Sequence, residues 1–304
     1  MGSIQQQQEN INAQQGLIIM LLLVYPRDYF DSKTVDKDMQ TEYAAACATG
    51  LFDVALFNYD QWLAGEALRF SQLPQTASTA VYRGWMLKPE QYRKLYGALQ
   101  ERGVRLVTSP ECYERFHLFP NIYDDIKEDT ARTLIYPDGQ KVDVKEVQRQ
   151  FPRFMVKDYV KSVKGTEFPR FFDGSIKQTE FDEWMKMFYK YRGDLYTGGL
   201  CIKEYLDLRR YEKNTNEFRV FYIRNEVGTI SRNSLQGEYT PEPPKALIQK
   251  YKRLGSLFYT IDYAELTDGS WKIIEAGDGQ VSGLSDGQDA EFFYRTLHQA
   301  FGQD

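Results

Sequence analysis

Short apolar runs alternate with helical stretches over the first 110 residues of this 304-residue chain, and few folds accept that order. Strands are predicted at residues 17–25, 54–59, 79–82 and 104–107, and helices at 36–49 and 89–103. Gly50 and Gly103 stand where the helices end, and Pro89 stands where the second one begins. Strands separated by helices pair in parallel, so residues 17–110 are expected to form a small parallel α/β domain.

Residues 111–304 show a different pattern, which predicts a second domain of the α+β class. A helical, loop-rich stretch up to residue 150 is followed by short β-type runs that are separated by turns. Turn sequences at 225–228 and 267–270 favour hairpins and therefore antiparallel sheets. Strands are predicted at 154–156, 200–205, 218–223, 227–230, 258–265 and 271–275, and helices at 178–192, 243–254 and 288–300.

Composition excludes several classes of protein. A net charge of −5 argues against a dedicated nucleic-acid binder. The longest apolar run, residues 17–24, is far shorter than the ~20 residues of a membrane span, so no membrane association is expected. Three widely spaced cysteines predict no disulfide framework and favour the cytoplasm. Residues 1–16, rich in Gln and Asn without an apolar period, are predicted to be a disordered tail.

Two stretches of opposite charge indicate a site for a polyanion together with divalent cations. Residues 149–177 hold seven basic and three acidic residues, a net charge of +4. Residues 260–291 hold eight acidic residues and one lysine, a net charge of −7. Lysines can bind phosphate oxygens and carboxylates can bind magnesium. Two solvated surfaces would give the same counts, so the charges alone leave both interpretations open.

Particular residues in these stretches sharpen the hypothesis. Lys157 ends a predicted strand before a glycine-containing loop, from which it could reach a phosphate, although Lys157, Lys161 and Lys164 also fit one face of a basic helix. Asp262 and Glu275 fall on the two strands of a predicted hairpin, where both carboxylates can share one face. Such a pair repels itself unless a cation lies between the two groups. Two edge-strand acids in water are the alternative.

Motifs of other enzyme classes are missing or incomplete. The chain contains no Gly-x4-Gly-Lys-Ser/Thr P-loop. The glycine-rich stretch 277–283 lacks Gly-x-Gly-x-x-Gly spacing and follows a late strand, so it does not indicate a dinucleotide site. His117 and His298 are too few for a multi-histidine zinc site, and His117 is interpreted as a structural residue.

Taken in chain order, these pieces resemble the ATP-grasp superfamily. The shared order is a small α/β domain, a strand lysine, a basic loop, the strand end at 202–206, the segment 217–220, and then Asp262 and Glu275. More narrowly, residues 82–86 and 275–284 are similar to the ATP-grasp clade that is named for one arginine and two lysines. The resemblance implies an ATP-grasp fold over residues 111–304, in which two α+β subdomains hold ATP behind the smaller domain.

The resemblance also implies a nucleotide site and a metal site. Backbone groups of Glu204 and Leu206, with Tyr205 between them, would face the adenine, and Glu212 would face the ribose hydroxyls. Three lysines would contact the phosphates or the adenine: Lys157, Lys164 and Lys203. Magnesium would be held by Asp262 and Glu275, with Asp278 as a candidate third ligand, because Gly277 stands where many members carry asparagine.

The activity implied by the resemblance is ATP-dependent ligation of a carboxylate to an amine through an acyl phosphate, with an amino acid, a peptide or a protein as acceptor. Arg219 would steady phosphate or the acyl phosphate, and Arg232 would assist. Arg83 follows a strand of the first domain and precedes Gly84, so its guanidinium could bind a substrate carboxylate, or it could pair with a nearby acid across the domains. Residues 158–177 would form a lid. Phosphoryl transfer to another acceptor and a non-catalytic nucleotide-binding module stay open as alternatives, and so does a homodimer.

Overall fold

The computed structural model describes residues 20–237 and 239–303, so the predicted tail at 1–16 lies outside the described residues. The described chain divides into two compact units. Unit 1 holds the described residues up to Trp85, the segment Gly97–Val107 and the described residues from Asp289 onward. Unit 2 holds Met86–Tyr96 and Thr108–Gln288. The sequence-based boundary at residue 110 stays a prediction.

The strands follow one another along the chain in the order used below. They are β1 (Leu21–Pro26), β2 (Phe52–Phe57), β3 (Ser78–Tyr82), β4 (Val104–Leu106), β5 (Thr133–Tyr136), β6 (Arg153–Asp158), β7 (Phe172–Asp173), β8 (Leu200–Glu204), β9 (Arg210–Tyr211), β10 (Asn214–Thr215), β11 (Glu217–Ile223), β12 (Glu226–Arg232), β13 (Phe258–Glu265) and β14 (Trp271–Asp278).

The helices are labelled in the same way. They are α1 (Gln40–Thr49), α2 (Tyr59–Leu63), α3 (Pro89–Gln100), α4 (Pro110–His117), α5 (Pro120–Ile126), α6 (Val144–Gln150), α7 (Gln178–Arg192), α8 (Lys245–Lys250) and α9 (Ala290–Phe301), with 3₁₀ turns at Lys37–Met39, Gly193–Leu195 and Gly279–Val281. None of the helices in the described part of the chain has the length and apolar character needed to cross a membrane.

Unit 1 is built on a parallel sheet with the strand order β2–β1–β3–β4. Every residue of the inner strand β1 is buried, which explains why its apolar run shows no alternation with polar residues. Helix α1 ends at Gly50, whose φ of +68° is a conformation that glycine adopts without steric cost, and α1 packs against α9. The parallel sheet predicted for the first part of the chain is confirmed.

Unit 2 contains two four-stranded antiparallel sheets, each with its own apolar core, and a two-stranded one formed by β9 and β10. The β8 sheet has the order β5–β8–β6–β7, and the β13 sheet has the order β12–β11–β13–β14. Helix α7 contributes Phe181, Met185 and Phe188 to the core of the β8 sheet, and this spacing places them on one face of the helix. The core of the β13 sheet includes Phe116 from α4 and Ile122 from α5. The antiparallel sheets predicted for this part of the chain are therefore confirmed.

Three local predictions differ from the structure. Strand β5 lies where only helix and loop were expected. Its four residues form a strand because they pair with the distant strand β8. The β11–β12 turn spans residues 223–226, with Arg224 and Asn225 as its two-residue loop at φ of 53° and 66°, and lies two positions before the predicted turn at 225–228. Helix α8 begins only at Lys245, after Pro243 and Pro244, and is shorter than the predicted helix at 243–254.

Candidate active site

Three charged side chains form a row across the β13 sheet. Arg219 on β11 pairs in register with Asp262 on β13, and Asp262 pairs with Glu275 on β14. Residues opposite each other on neighbouring strands project from the same face of a sheet, so the three side chains share one face. The pairing of the two carboxylates that the sequence predicted is confirmed.

Each carboxylate in this row has a cationic partner. Arg219 donates from Nε to Oδ1 of Asp262 at 2.8 Å and from Nη2 to Oδ2 at 2.7 Å. Lys161 donates from Nζ to Oε1 of Glu275 at 3.0 Å. Burial by itself would raise the pKa of Glu275, but Lys161 and Lys157 outweigh it and hold this pKa well below its usual range. Glu275 is therefore ionised at neutral pH.

Two buried lysines project from the β8 sheet. Lys157 on β6 and Lys203 on β8 are 8% and 4% exposed, and the register of the two strands puts them on the same face. Their ammonium groups lie 5.3 and 4.3 Å from the centroid of the Phe119 ring, and Lys203 donates to the backbone oxygen of Ile274 at 3.2 Å. Burial first, and Lys157 second, lower the pKa of Lys203 to about 7. Lys203 is therefore only partly charged near neutral pH.

A cavity of about 850 Å³ is lined by residues from both sheets of unit 2. This volume falls in the range of roughly 300–1,000 Å³ that is typical of small-molecule sites. Apolar walls, such as Met155 and Val163, are combined with charged groups, such as Lys161 and Glu275. The large cavity is also lined by six of the residues predicted to bind nucleotide: Lys157, Lys164, Lys203, Glu204, Tyr205 and Leu206.

Two arginines contact the residues at the end of β8. The carboxylate of Glu204 accepts from Nε and Nη2 of Arg132 at 2.9 and 2.7 Å. The N–H of Tyr205 donates to the backbone oxygen of Arg153 at 3.0 Å, and the guanidinium of Arg153 lies 4.1 Å from the ring centroids of both Tyr205 and Phe171. Because Arg132 engages the side chain of Glu204, a ligand would meet this segment through backbone groups, as the predicted adenine contact requires.

A smaller cavity of about 220 Å³ adjoins the large one. Arg219 and Asp262 line it, and so do Thr260 and Ser282, whose hydroxyl oxygens lie 2.8 Å apart. Asp278 also lines it, while its Oδ1 accepts from the backbone of the 3₁₀ turn that follows. The two cavities share three lining residues: Lys157, Lys161 and Glu275.

Arg83 lines neither cavity. It belongs to unit 1, where it is 2% exposed and donates to Oε2 of Glu42 from Nε at 3.1 Å and from Nη2 at 2.5 Å. The hydroxyl of Tyr294 donates to the same oxygen at 2.7 Å, and the Phe293 ring lies 5.4 Å from the guanidinium carbon. A carboxylate of its own unit thus binds the guanidinium, and the contact with a substrate carboxylate stays a prediction.

Two further predicted residues lie away from the charged row. Arg232 pairs in register with Phe218, the neighbour of Arg219, so its side chain projects from the opposite face of the sheet, 5.1 Å from the Phe218 ring centroid. Glu212 is exposed in the turn between β9 and β10, with a φ of 55°, and does not line the large cavity. Glu217 does line that cavity, and the ribose contact of Glu212 stays a prediction.

Two residues gain importance that the sequence had not given them. Lys161 bonds Glu275 and lines both cavities, and only its spacing from Lys157 and Lys164 pointed to a role. His117, interpreted as structural from the sequence, lines the small cavity. A lone histidine carries no spacing signal, so sequence reasoning had no means of finding it.

The carboxylate pair fits a magnesium ion that is also bound by phosphate. Among residues 20–237 and 239–303, no group of three or more His, Cys, Asp or Glu side chains could hold a metal ion. Magnesium commonly takes one or two protein carboxylates together with phosphate oxygens and waters. Asp262 and Glu275 supply two carboxylates in register. They suit an ion that is bound together with a phosphate-bearing substrate, rather than one held by protein groups alone.

Two antiparallel sheets, with lysines on one and a row of carboxylates on the other around a ligand-sized cavity, define an ATP-grasp domain. The sequence profile that matches residues 137–297 is that of the ATP-grasp domain, family 3 of the clade named for one arginine and two lysines, and the chain belongs to this family. The resemblance inferred from the sequence is thus confirmed. No protein with a curated description matches the chain.

Solved structures support the fold over nearly the whole chain. The ATP-grasp ligase PsnB, complexed with minimal precursor, Mg and ADP, is 14% identical, with a TM-score of 0.55 over 93% of this chain and 98% of that one. The D-cycloserine synthetase DcsG is 14% identical, with a TM-score of 0.58 over 91% and 99%. The D-alanine-D-alanine ligase from Coxiella burnetii is 8% identical, with a TM-score of 0.59 over 94% of both chains. The predicted ATP-grasp fold with a preceding parallel sheet is confirmed.

Proposed function

We propose that this protein is an ATP-dependent carboxylate–amine ligase that works through an acyl phosphate. One observation carries the proposal: buried lysines and an Arg–Asp–Glu row line two adjoining cavities, one of nucleotide size and one much smaller. The family supplies the ATP-grasp domain, and the three similar structures above are named as ligases or a synthetase. Their names favour this reaction class, and identities of 8–14% leave the substrates to be found.

The nucleotide would occupy the large cavity. Lys157 and Lys203 are the buried cations nearest the carboxylate row, and they would bind phosphate oxygens together with Lys164 from the loop after β6. The apolar wall and the backbone around Tyr205 and Leu206 would hold the base. Bringing a polyanion beside Lys203 favours its charged form, so the lysine gains a proton as the phosphates bind.

Asp262 and Glu275 would hold the magnesium, whose chemistry here is to neutralise phosphate charge. Lys161 and Arg219, which now bond these carboxylates, would become available to phosphate oxygens and to the substrate carboxylate. Arg219 also donates to the backbone oxygen of Gly283 at 2.9 Å, which fixes its orientation beside the small cavity. The protein thus supplies cations on both sides of the position where the terminal phosphate would move.

The reaction itself needs no protein nucleophile. A carboxylate oxygen of the first substrate attacks the terminal phosphorus, and the bond to ADP breaks to leave an acyl phosphate. The amine of the second substrate then attacks the acyl carbon, and inorganic phosphate leaves. Catalysis would come from positioning and electrostatic stabilisation, which suits a site made of lysines, arginine and carboxylates.

ADP release with pooled amino acids and peptides tests the proposal, with the products identified by mass spectrometry. We expect ADP and inorganic phosphate in equal amounts together with an amide product. A stable phosphorylated product would instead identify a phosphotransferase on this scaffold. Absence of MgATP binding, measured by calorimetry, would reject the nucleotide site itself and favour a protein that has lost this function.

A further inference from the structure

The small cavity has the size of a single amino acid. Its volume of about 220 Å³ corresponds to roughly seven waters at ~30 Å³ each. It adjoins the large cavity at Lys157, Lys161 and Glu275, so a carboxylate placed at that junction would face the position proposed for the terminal phosphate. Six charged residues line it, three of each sign: Lys157, Lys161, Arg219, Asp262, Glu275 and Asp278. Of these, Lys161 and Arg219 are the cations proposed above to become available to a substrate carboxylate.

His117 brings an uncharged base to this cavity. It is the last residue of α4 and is 9% exposed, and its ring stacks on Tyr113 with the centroids 5.1 Å apart and the planes 17° apart. Tyr113 is fixed in turn, because its hydroxyl bonds both the N–H and the oxygen of Leu87, at 2.9 and 2.8 Å, and its ring stacks on Tyr92 at 3.9 Å. The aromatic stack therefore holds the imidazole in one orientation.

The imidazole has hydrogen-bonding capacity to offer a ligand. No residue within 20–237 or 239–303 forms a hydrogen bond with it, and His117 is one of the residues that line the cavity. Burial first, and Lys161 second, lower the pKa of His117 to about 4, so the ring is uncharged at neutral pH. An uncharged imidazole can accept a proton, whereas the other bases of the cavity are carboxylates engaged by cations or by backbone.

We propose that the small cavity binds an amino-acid-sized carboxylate and that the imidazole of His117 accepts the proton of the attacking amine. This inference rests on the proposed ligase function. The amine nitrogen forms a bond to the acyl carbon, the bond from that carbon to the phosphate oxygen breaks, and phosphate leaves with the electron pair. The N–H proton passes to His117 and then to solvent. Negative charge on the departing phosphate stabilises the imidazolium as it forms.

Two acceptors separate this role from a structural one. The enzyme is incubated with MgATP and an equimolar mixture of the twenty standard amino acids, with and without hydroxylamine. Hydroxylamine is an uncharged nucleophile near neutral pH and attacks acyl phosphates without help from a protein base. An amino-acid amine is mostly protonated at that pH and must lose a proton before it can attack, in addition to the proton that both nucleophiles lose on acylation. In His117→Asn we expect hydroxamate formation within about twofold of the wild type and dipeptide formation at least about a hundredfold lower.

Matched controls guard against a folding defect. His298→Asn removes the only other histidine of the chain, which lies on α9 of unit 1, and should leave both products unchanged. With two histidines in the chain, this variant also assigns the ring C2–H signals in the proton NMR spectrum of the wild type. We expect the His117 signal to shift when the amino acids that give hydroxamate are added with MgATP, and the His298 signal to stay in place.

Several outcomes would overturn the inference. Equal losses of hydroxamate and dipeptide in His117→Asn, or an unchanged dipeptide rate, would show that His117 is not the base. If the NMR signal of His117 does not shift when the amino acids are added, His117 does not lie in the site. This result would hold even if the His117→Asn variant failed to fold. If the wild type binds MgATP but makes neither product, the amino-acid assignment is wrong and the nucleotide site stands. If MgATP does not bind, the proposed ligase function is wrong, and so is this inference, because it rests on that function.

Discussion

The core of unit 1 and the small cavity of unit 2 each contain an arginine that donates two N–H groups to a carboxylate, yet the pairs are embedded differently. Arg83 is 2% exposed, and Tyr294 also bonds its partner, Glu42. The side chains of Arg219 and Asp262 are 30% and 16% exposed and line a cavity. A deeply buried pair cannot change partners without stranding a charge, whereas a pair beside a cavity can accept a ligand in exchange. We therefore interpret the first pair as structural and the second as part of the proposed site.

The largest effect is expected on activity when the charged groups beside the cavities are removed. Glu275→Ala and Lys203→Ala should each lower MgATP turnover by about 100- to 1,000-fold, because the first removes a proposed metal ligand and the second a proposed phosphate contact. ADP release measures the loss, and thermal unfolding checks that the fold remains intact. Arg93→Ala, at an exposed ion pair with Glu114, is the control and should change neither quantity. Full activity in either cavity variant would reject the site assignment.

The same kind of truncation in unit 1 should act on stability instead. Glu42→Ala leaves the guanidinium of Arg83 buried without its carboxylate and should lower the free energy of unfolding by about 3–5 kcal/mol. Urea denaturation measures the change. Asp262→Ala provides the contrast, with a much smaller stability loss and a large loss of turnover. If Glu42→Ala leaves the free energy of unfolding unchanged, burial of Arg83 is tolerated without its partner.

Among the residues that the structure describes, no carboxylate bonds Lys203, in contrast to Arg83, and this difference should appear in the pH dependence. Its pKa is lowered to about 7, so between pH 7 and about 10 the unfolded chain holds a proton that the folded chain has released. Stability should therefore rise with pH across this window, by at most about 1.4 kcal/mol per pH unit, and Lys203→Met should flatten that rise.

Binding of MgATP should return to Lys203 the proton that this lysine releases on folding. Calorimetry of MgATP binding at pH 8, in buffers of different ionisation enthalpy, should show uptake of up to about one proton by the wild type and much less by Lys203→Met. Equal uptake by both proteins would assign the proton to another group.

The smallest effect is expected at Arg232, which lies on the face of the β13 sheet away from Arg219. Arg232→Ala should change MgATP turnover by less than about twofold and lower stability by about 0.5–1 kcal/mol, through loss of its contact with the Phe218 ring. Steady-state kinetics and urea denaturation measure the two quantities. A large loss of turnover would restore the catalytic role predicted from the sequence.

Features that depend on neighbouring residues could be predicted from the sequence. The hairpin around residues 267–270 was enough to predict that the strands of Asp262 and Glu275 are neighbours. A shift of register between Asp262 and Tyr263 then brings the two carboxylates opposite each other, and nothing in the local sequence indicated it. The apolar run of β1 and the glycine after α1 likewise indicated a buried strand and a helix end. Strand β5 was not predicted, because a run of four residues shows too little periodicity to indicate a strand. Its pairing with β8 is visible only in the folded chain.

The sequence by itself determined the two kinds of sheet, the lysine-bearing strand β6 and the hairpin that carries Asp262 and Glu275, because each follows from backbone periodicity and local turns. Only the tertiary structure decided which partner each charge meets. Glu42 binds Arg83 from 41 residues away, Lys161 reaches Glu275 from 114 residues away, and His117 lines the small cavity with β13 and β14. Contacts of this kind depend on how separate elements pack, and the spacing of residues along one element carries no record of it.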